Sequence, residues 1–401
     1  MALKTAKMAE QLELFGCIQC GKCTGGCPVA RKTTLNIRDL IYHMLVDSDM
    51  DLDVHEDLWD CTACFTCVER CPKDVQPAEL IIALRGELVE GGRIPETVGT
   101  ALMSIFRQGN PSSMARQDRD LWAEGIEDRL EQAKQAAQEG CDLLYFVGCI
   151  PSYDTRVQPV ARALMRAFQS ADLDVGALGT DESCCGNEVR RMGELGLFEM
   201  LVEENGEMLR NVGARRIVTT SPHCFNTFKN EYDLADADGD ATEILHYTQL
   251  LARLIEEGEL TFSGSLASED GEKKVITYHD PCFLGKQNQV YDEPRAIIEA
   301  LPGAELVEMD RNRERSLCCE GGGGRMWVEG TNLEERLAFQ RVQEAADTGA
   351  DVLAVACPFC LLTLEDAVKV QGLDEQLQVM DIMELVDSVL EEDVSNPADE
   401  E

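Results

Sequence analysis

The chain has 401 residues, 44% of them hydrophobic, which suffices for two or three domains with packed cores and excludes global disorder. Asp and Glu number 75 against 36 Lys and Arg, and the resulting net charge of −39 is spread along the whole chain. So acidic a surface repels nucleic acid and anionic membranes; it fits an ordinary solvated exterior and, more sharply, a halophilic protein whose self-repulsion is relieved by salt. The opening "MALKTAKMAEQLELFGC" has no long apolar run, and no segment approaches the ~18 apolar residues of a membrane-spanning helix. The expectation is a cytoplasmic protein with no span of its own, peripheral to the inner face of a membrane only through a partner. Eighteen cysteines in a reducing compartment point to metal or redox chemistry rather than disulfides.

Residues 1–93 hold two cysteine runs joined by a helical segment. "CIQCGKCTGGCP" supplies Cys17, Cys20, Cys23 and Cys27, and "CTACFTCVERCP" supplies Cys61, Cys64, Cys67 and Cys71. Each reads C-x2-C-x2-C-x3-C-P, the two-cluster ferredoxin run, in which three thiolates on one loop face a cubane and the fourth reaches the other cluster. That rule gives Cys17, Cys20, Cys23 and Cys71 to one [4Fe-4S] cluster, and Cys61, Cys64, Cys67 and Cys27 to a second. Zinc would leave thiols unused. Between the runs Leu35, Ile37, Leu40, Ile41, Met44 and Leu45 recur near helical spacing, so an all-helical ferredoxin domain is expected, acting as a wire rather than a catalyst. Residues 94–139, broken at "GNPSS", read as a helical linker.

From residue 140 short apolar runs ("DLLYFVGC", "RRIVTTS", "KKVITYHDPC", "AELVEMD", "DVLAVACP") alternate with amphipathic stretches, the pattern of α/β units. The region is duplicated. Cys149 matches Cys282, Cys184-Cys185 match Cys318-Cys319, and "SPHC" at Ser221 matches "CPFC" at Cys357, at offsets of 133, 134 and 136 residues. The fold class is therefore α+β multidomain: the helical two-cluster domain, then two duplicated α/β cysteine-rich repeats at 140–263 and 264–390, then an acidic tail at 391–401 expected to be disordered. Cys149, Cys282 and Cys357 each follow a predicted strand, so both motifs should gather at carboxyl strand ends and face each other.

Cys282, Cys318, Cys319, Cys357 and Cys360 form C-x35-CC-x37-C-x-x-C. With the ferredoxin runs before it, this order resembles the fused ferredoxin-plus-CCG catalytic subunit of heterodisulfide reductases, within the CCG iron–sulfur oxidoreductases. The second pair departs slightly, being followed by Glu320 instead of glycine. The resemblance implies a noncubane [4Fe-4S] cluster on the five second-repeat cysteines, with adjacent thiolates bridging and capping iron and Gly321–Gly324 leaving room for the cluster and a substrate sulfur. The first repeat keeps Cys149, Cys184, Cys185 and Cys224 but has Ser221 where the second has Cys357. An ordinary or altered cluster, a noncubane cluster with a substitute ligand, and no cluster all remain open there. His279 is a candidate proton donor or a strand-end cap; Lys286 and Arg325 are candidate substrate or cluster counter-charges. His223 needs no role, and Cys141 is a bystander.

The resemblance implies a disulfide reductase acting within a complex. Electrons would pass from a flavoprotein or haem b membrane subunit through two [4Fe-4S] clusters to the CCG site, which reduces a small disulfide. The alternative is an electron-transfer subunit linking a flavin dehydrogenase (glycerol-3-phosphate, lactate or electron-transfer flavoprotein) to the quinone pool. A zinc-bound scaffold is a poor third.

Overall fold

The N-terminal cysteine runs lie on loops among α1 (Ala2–Gln11), α2 (Lys22–Gly26), α3 (Ile37–Val46), α4 (Thr66–Glu69) and α5 (Pro77–Glu90). The computed structural model describes residues 2–46, 56–235, 241–328, 330, 332 and 334–390; the acidic tail lies outside them. Helix α5 opens on Pro77, whose fixed φ suits a first turn, and it buries Leu80, Ile81, Leu84 and Leu88. Being apolar nearly all round, it forms the centre of the N-terminal domain rather than a surface helix.

Helices α6 (Glu96–Gln108) and α7 (Glu127–Glu139) follow, separated by a 3-10 turn at Arg116–Ala123. This stretch is more than a linker. Trp122, Leu130 and Ala133 enter the core of the first repeat, and α7 packs on its edge strand.

The first repeat runs β1 (Leu143–Phe146), α8 (Cys149–Tyr153), α9 (Gln158–Ser170), β2 (Val175–Ala177), α10 (Asn187–Arg191), α11 (Leu195–Val212), β3 (Arg216–Thr219), α12 (Pro222–Glu231), β4 (Glu243–His246) and α13 (Tyr247–Glu257). The second runs β5 (Lys274–Tyr278), α14 (Gly285–Asn288), α15 (Asp292–Ala300), β6 (Ala304–Val307), α16 (Leu337–Ala346), β7 (Val352–Val355), α17 (Pro358–Val370), β8 (Gln378–Asp381) and α18 (Ile382–Asp387). Both sheets are four-stranded and parallel, ordered β2-β1-β3-β4 and β6-β5-β7-β8. Identical order in the two halves is what a duplication requires.

Strand β1 explains its own unbroken apolar run. Leu143 and Tyr145 face a core shared with the second repeat, while Leu144 and Phe146 face a core shared with the ferredoxin domain. The first sheet is thus buried on both faces, as parallel sheets are. The repeats meet through α13 against α15 and α9 against α18, and the Tyr247 hydroxyl donates to Asp381 Oδ1 at 2.6 Å.

Candidate cysteine sites

Two left-handed residues shape each ferredoxin loop: Gln19 and Gly21 in the first run, Ala63 and Phe65 in the second. The curl aims amides at sulfur, with Gln19 N and Ala63 N each 3.4 Å from the Sγ of Cys17 and Cys61. Cys17, Cys20, Cys23 and Cys71 line one pocket, together with Lys22, Arg38 and Lys73. Cys27 sits instead with the other run; burial first, then nearby Cys64 and Cys61, pushes its thiol up to about 12. The two groupings are those of the crossed rule.

The second run adjoins the second repeat. Cys318 stands beside Cys64, which together with burial holds the Cys64 thiol well above its ordinary value, and Cys318 Sγ lies 3.4 Å from Thr62 Oγ1. Lys286 is buried here, its ammonium donating to Thr66 Oγ1 at 2.8 Å and to the Ser316 carbonyl at 2.7 Å. Its bonds are occupied inside the protein, where it lowers the field of the surrounding sulfurs. Arg85, fully buried in α5, donates to the carbonyls of Leu58, Cys61, Arg191 and Gly323, and so ties all three domains together. Arg325 is nearly buried and stands 3.8 Å from Asp60.

The five second-repeat cysteines converge. Cys319 Sγ is 3.3 Å from Cys360 Sγ, with Cys282 beside Cys318 and Cys357 beside Cys360. Cys357 follows β7 directly as the N-cap of α17. Glu320 N and Gly321 N reach the Sγ of Cys318 and Cys319 at 3.3 and 3.4 Å. A ring nitrogen of His279 lies within 4.8 Å of the Cys319 and Cys360 sulfurs. Its Nδ1 accepts from Arg341 Nε at 3.0 Å, and burial, then Arg341, keeps the imidazole far below its ordinary pKa. His279 is therefore a neutral ring presenting Nε2–H, a fixed hydrogen-bond donor rather than a stored proton.

In the first repeat Cys149, Cys184, Cys185 and Cys224 gather around one pocket. Ser221 caps α12, its Oγ accepting from His223 N at 3.3 Å, and lines the same pocket as these four cysteines. Arg119, from the segment after α6, comes within 3.8 Å of Cys149 Sγ and is paired with buried Glu182. Glu182 in turn accepts from Val147 N and Gly148 N, both at 2.8 Å.

His223 corrects the sequence reading, which gave it no role. It is buried at the junction of the repeats, stacked on Phe359 at 4.5 Å and tilted against Phe283 at 4.3 Å, with Nδ1 2.7 Å from Glu188 Oε1. Burial opposes its charge, but Cys357 and Glu188 raise its pKa to about 10; burial likewise opposes the Cys357 thiolate, which Cys360 and His223 bring down to about 5. The glycines also differ from expectation. Gly323 lies against the Thr62 backbone and Gly324 against Met192, so they admit neighbouring chain rather than leaving open space. Arg119, Glu182 and Arg85 were missed; a lone arginine inside "LIIALRGELV" was the one legible signal.

The donor set fits iron–sulfur clusters. Seventeen of the eighteen cysteines fall into four groups, and none of the eighteen forms a disulfide. Buried sulfurs at such spacing repel one another as thiolates, which calls for a cationic core between them. Cys141 stands apart on the strand edge beside Gly176.

Comparison with known proteins agrees. Residues 13–75 match the 4Fe-4S dicluster domain, and residues 143–229 and 276–365 each match the cysteine-rich (CCG) domain. The chain is 31% identical over 95% of its length to a probable iron-sulfur-binding oxidoreductase, FadF, of Bacillus subtilis, and 32% identical over 95% to an EtfAB:quinone oxidoreductase of Syntrophomonas wolfei. It spans 60% and 59% of those proteins. Against one of the subunits of the dihydromethanophenazine:CoB--CoM heterodisulfide reductase of Methanosarcina barkeri it is 29% identical over 96% of both chains.

Proposed function

We propose that this chain, an iron–sulfur protein of the dicluster-plus-CCG type, is an oxidoreductase of heterodisulfide reductase kind whose second CCG repeat reduces a small disulfide. Cys17, Cys20, Cys23 and Cys71 would hold one [4Fe-4S] cluster; Cys61, Cys64, Cys67 and Cys27 a second; Cys282, Cys318, Cys319, Cys357 and Cys360 a noncubane one; Cys149, Cys184, Cys185 and Cys224 a further one. Bound there, the clusters supply one-electron carriers and, at the second repeat, iron sites able to take a thiolate.

The observation that carries this reading is the approach of Cys318 to the second ferredoxin run, its Sγ 3.4 Å from Thr62 Oγ1 and beside Cys64, which sets a ferredoxin site directly against a CCG site. In the first-run pocket Cys20 is exposed, and the Cys17 and Cys71 thiols beside it are half-buried. A donor, flavoprotein or haem b protein, would dock there. Inside, Lys286 offsets thiolate charge, His279 donates from Nε2, and the packed glycine loop excludes water. No helix among the described residues is long and apolar enough to cross a membrane.

Disulfide reduction takes two electrons. Anaerobically purified protein with counted iron and sulfide, reduced artificially, should pass electrons to a low-molecular-weight disulfide. Cys319→Ala should abolish this while both ferredoxin EPR signals persist; Cys185→Ala should cost less, since its repeat already has Ser221. Turnover surviving Cys319→Ala but not Cys185→Ala would move the active site to the first repeat. Ser221 itself, and the relatives named above as FadF and EtfAB:quinone oxidoreductase, favour a second reading: a carrier between a flavoprotein and the quinone pool. Equal, partial losses in both variants, with electrons accepted from a reduced flavoprotein and no disulfide reduced, would support that carrier.

A further inference from the structure

The two repeats share a fold but not the neighbourhood of their CC pairs. After Cys184-Cys185 the chain reads Gly186-Asn187-Glu188; after Cys318-Cys319 it reads Glu320-Gly321-Gly322. His223 in "SPHC" has Phe359 as its counterpart in "CPFC". At Asn187, Glu188 and His223 the first repeat has a polar side chain where the second has glycine or phenylalanine. In space the two sets interlock. The His223 ring lies between Phe359, stacked at 4.5 Å and 19°, and Phe283, at 4.3 Å and 33°. Both phenylalanines belong to the ligand loops of the second site, one beside Cys282 and one between Cys357 and Cys360. A Cβ at Gly322 would come within 3.1 Å of His223 Cε1, so glycine there makes way for the ring.

The back of the ring is fixed by its own repeat. Nδ1 meets Glu188 Oε1 at 2.7 Å and Asn187 Nδ2 at 3.1 Å. Asn187 Oδ1 accepts from Thr227 at 3.0 Å, and Glu188 Oε2 accepts from Gly324 N at 2.6 Å. With Nδ1 turned to its own repeat, the ring stands beside Cys357, whose sulfur acts on it. A histidine serving only its own core would need none of this, and the duplicate fold is stable with phenylalanine in its place.

We propose that His223 is a positioning residue through which the first repeat holds the Cys357 sulfur and sets the reduction potential of the second site. The proposal rests on the reading that the second site binds an iron–sulfur cluster. A hydrogen bond to a ligating sulfur withdraws electron density and raises the potential of the cluster. The first repeat, short of one cysteine, would then act on its neighbour's redox poise through a side chain instead of through a ligand.

The test uses the full chain with its clusters. His223→Phe installs what the second repeat carries at this position and keeps the aromatic stack. Iron and sulfide are counted, and the EPR signal that Cys319→Ala removes is titrated against potential. Iron content should stay at the wild-type level, and the midpoint should fall by about a tenfold change in the oxidised-to-reduced ratio, ~59 mV for one electron. Glu188→Gln, which leaves the ring in place, should shift it less in the same direction, and the ferredoxin midpoints should not move. Full iron with an unshifted midpoint in His223→Phe overturns the proposal. If His223→Phe loses the second-site signal, Glu188→Gln decides: a shifted midpoint sustains the proposal, while an unshifted one, or loss of the signal there too, overturns it. A wild-type protein with no cluster at the second site would overturn the underlying reading first.

Discussion

Buried side chains with a charge to place explain most of what single residues do here. Cys71 belongs by sequence to the second run, yet it lines the pocket of Cys17, Cys20 and Cys23. Cys71→Ser should therefore damage the cluster of the first run and spare that of its own, read by EPR with iron counts; loss confined to its own run's cluster would refute crossed ligation. Asp381 is a different case, a buried carboxyl that caps α18 and feels the Cys357 sulfur. Burial pushes its pKa up to about 7 against the pull of the Tyr247 hydroxyl and Met383 N–H, and Oδ2 has no partner. The folded value exceeds the ordinary ~3.9, so the folded state binds the extra proton. This contribution is present below about pH 4 and lost as pH rises through about 7. Asp381→Asn cannot ionise and keeps an acceptor for Tyr247 and Met383. Its melting temperature should vary less than wild type between pH 5 and 8 and exceed wild type at the upper end; parallel profiles would remove Asp381 as a source of pH dependence.

Elements differed in how far their sequence revealed them. Strands β1, β3, β5 and β7 were legible because central parallel strands are buried on both faces and read as unbroken apolar runs. Of the edge strands, β2 ("VGA") is only three residues long and β4 and β8 ("EILH", "QVMD") carry polar members, so none reads as an apolar run. The cysteine groups were legible because ligand spacing is local to each loop. What lay hidden was long-range: Arg119 reaching Cys149 from outside the repeat, His223 reaching Cys357, and the use made of the four glycines. Gly323 shows the last point. Its φ is +69°, and a Cβ would fall 2.5 Å from the Thr62 carbonyl carbon, so backbone must move to admit one. Gly323→Ala should destabilise by more than ~1 kcal/mol through strain alone. It should also loosen the ferredoxin domain from the second repeat, seen as faster proteolysis between them; wild-type resistance to protease would show that the loop yields freely. Arg85→Met should have the same consequence, because it leaves four buried carbonyls without their donor.

Across the whole molecule, buried cations and the surface charge act in opposite directions. Lys286, Arg85 and Arg119 sit beside the cysteine sites and offset negative sulfur, while the exterior carries the bulk of a net charge of −39. Self-repulsion of that size acts over the Debye length, ~10 Å at 0.1 M salt and ~3 Å at 1 M, so dilute salt leaves carboxylates on different domains in each other's field. The repeats are clasped by ion pairs between them, Arg156 with Glu365 at 2.7 Å and with Glu384 at 2.8 Å, and Arg166 with Asp387. These partly exposed pairs weaken as salt rises. Two trends therefore compete, and their magnitudes decide the outcome: a few surface pairs contribute ~1 kcal/mol or less each, whereas the excess of 75 carboxylates over 36 cations loads the entire surface. The melting temperature of the holoprotein should rise by several degrees between 0.1 M and 1 M potassium chloride. At the low end, the ferredoxin signals should be the first lost, since that domain presents Cys20 to solvent. A melting temperature that stays flat or falls with salt would show that the ion pairs between the repeats outweigh the surface charge, and would end the halophilic interpretation.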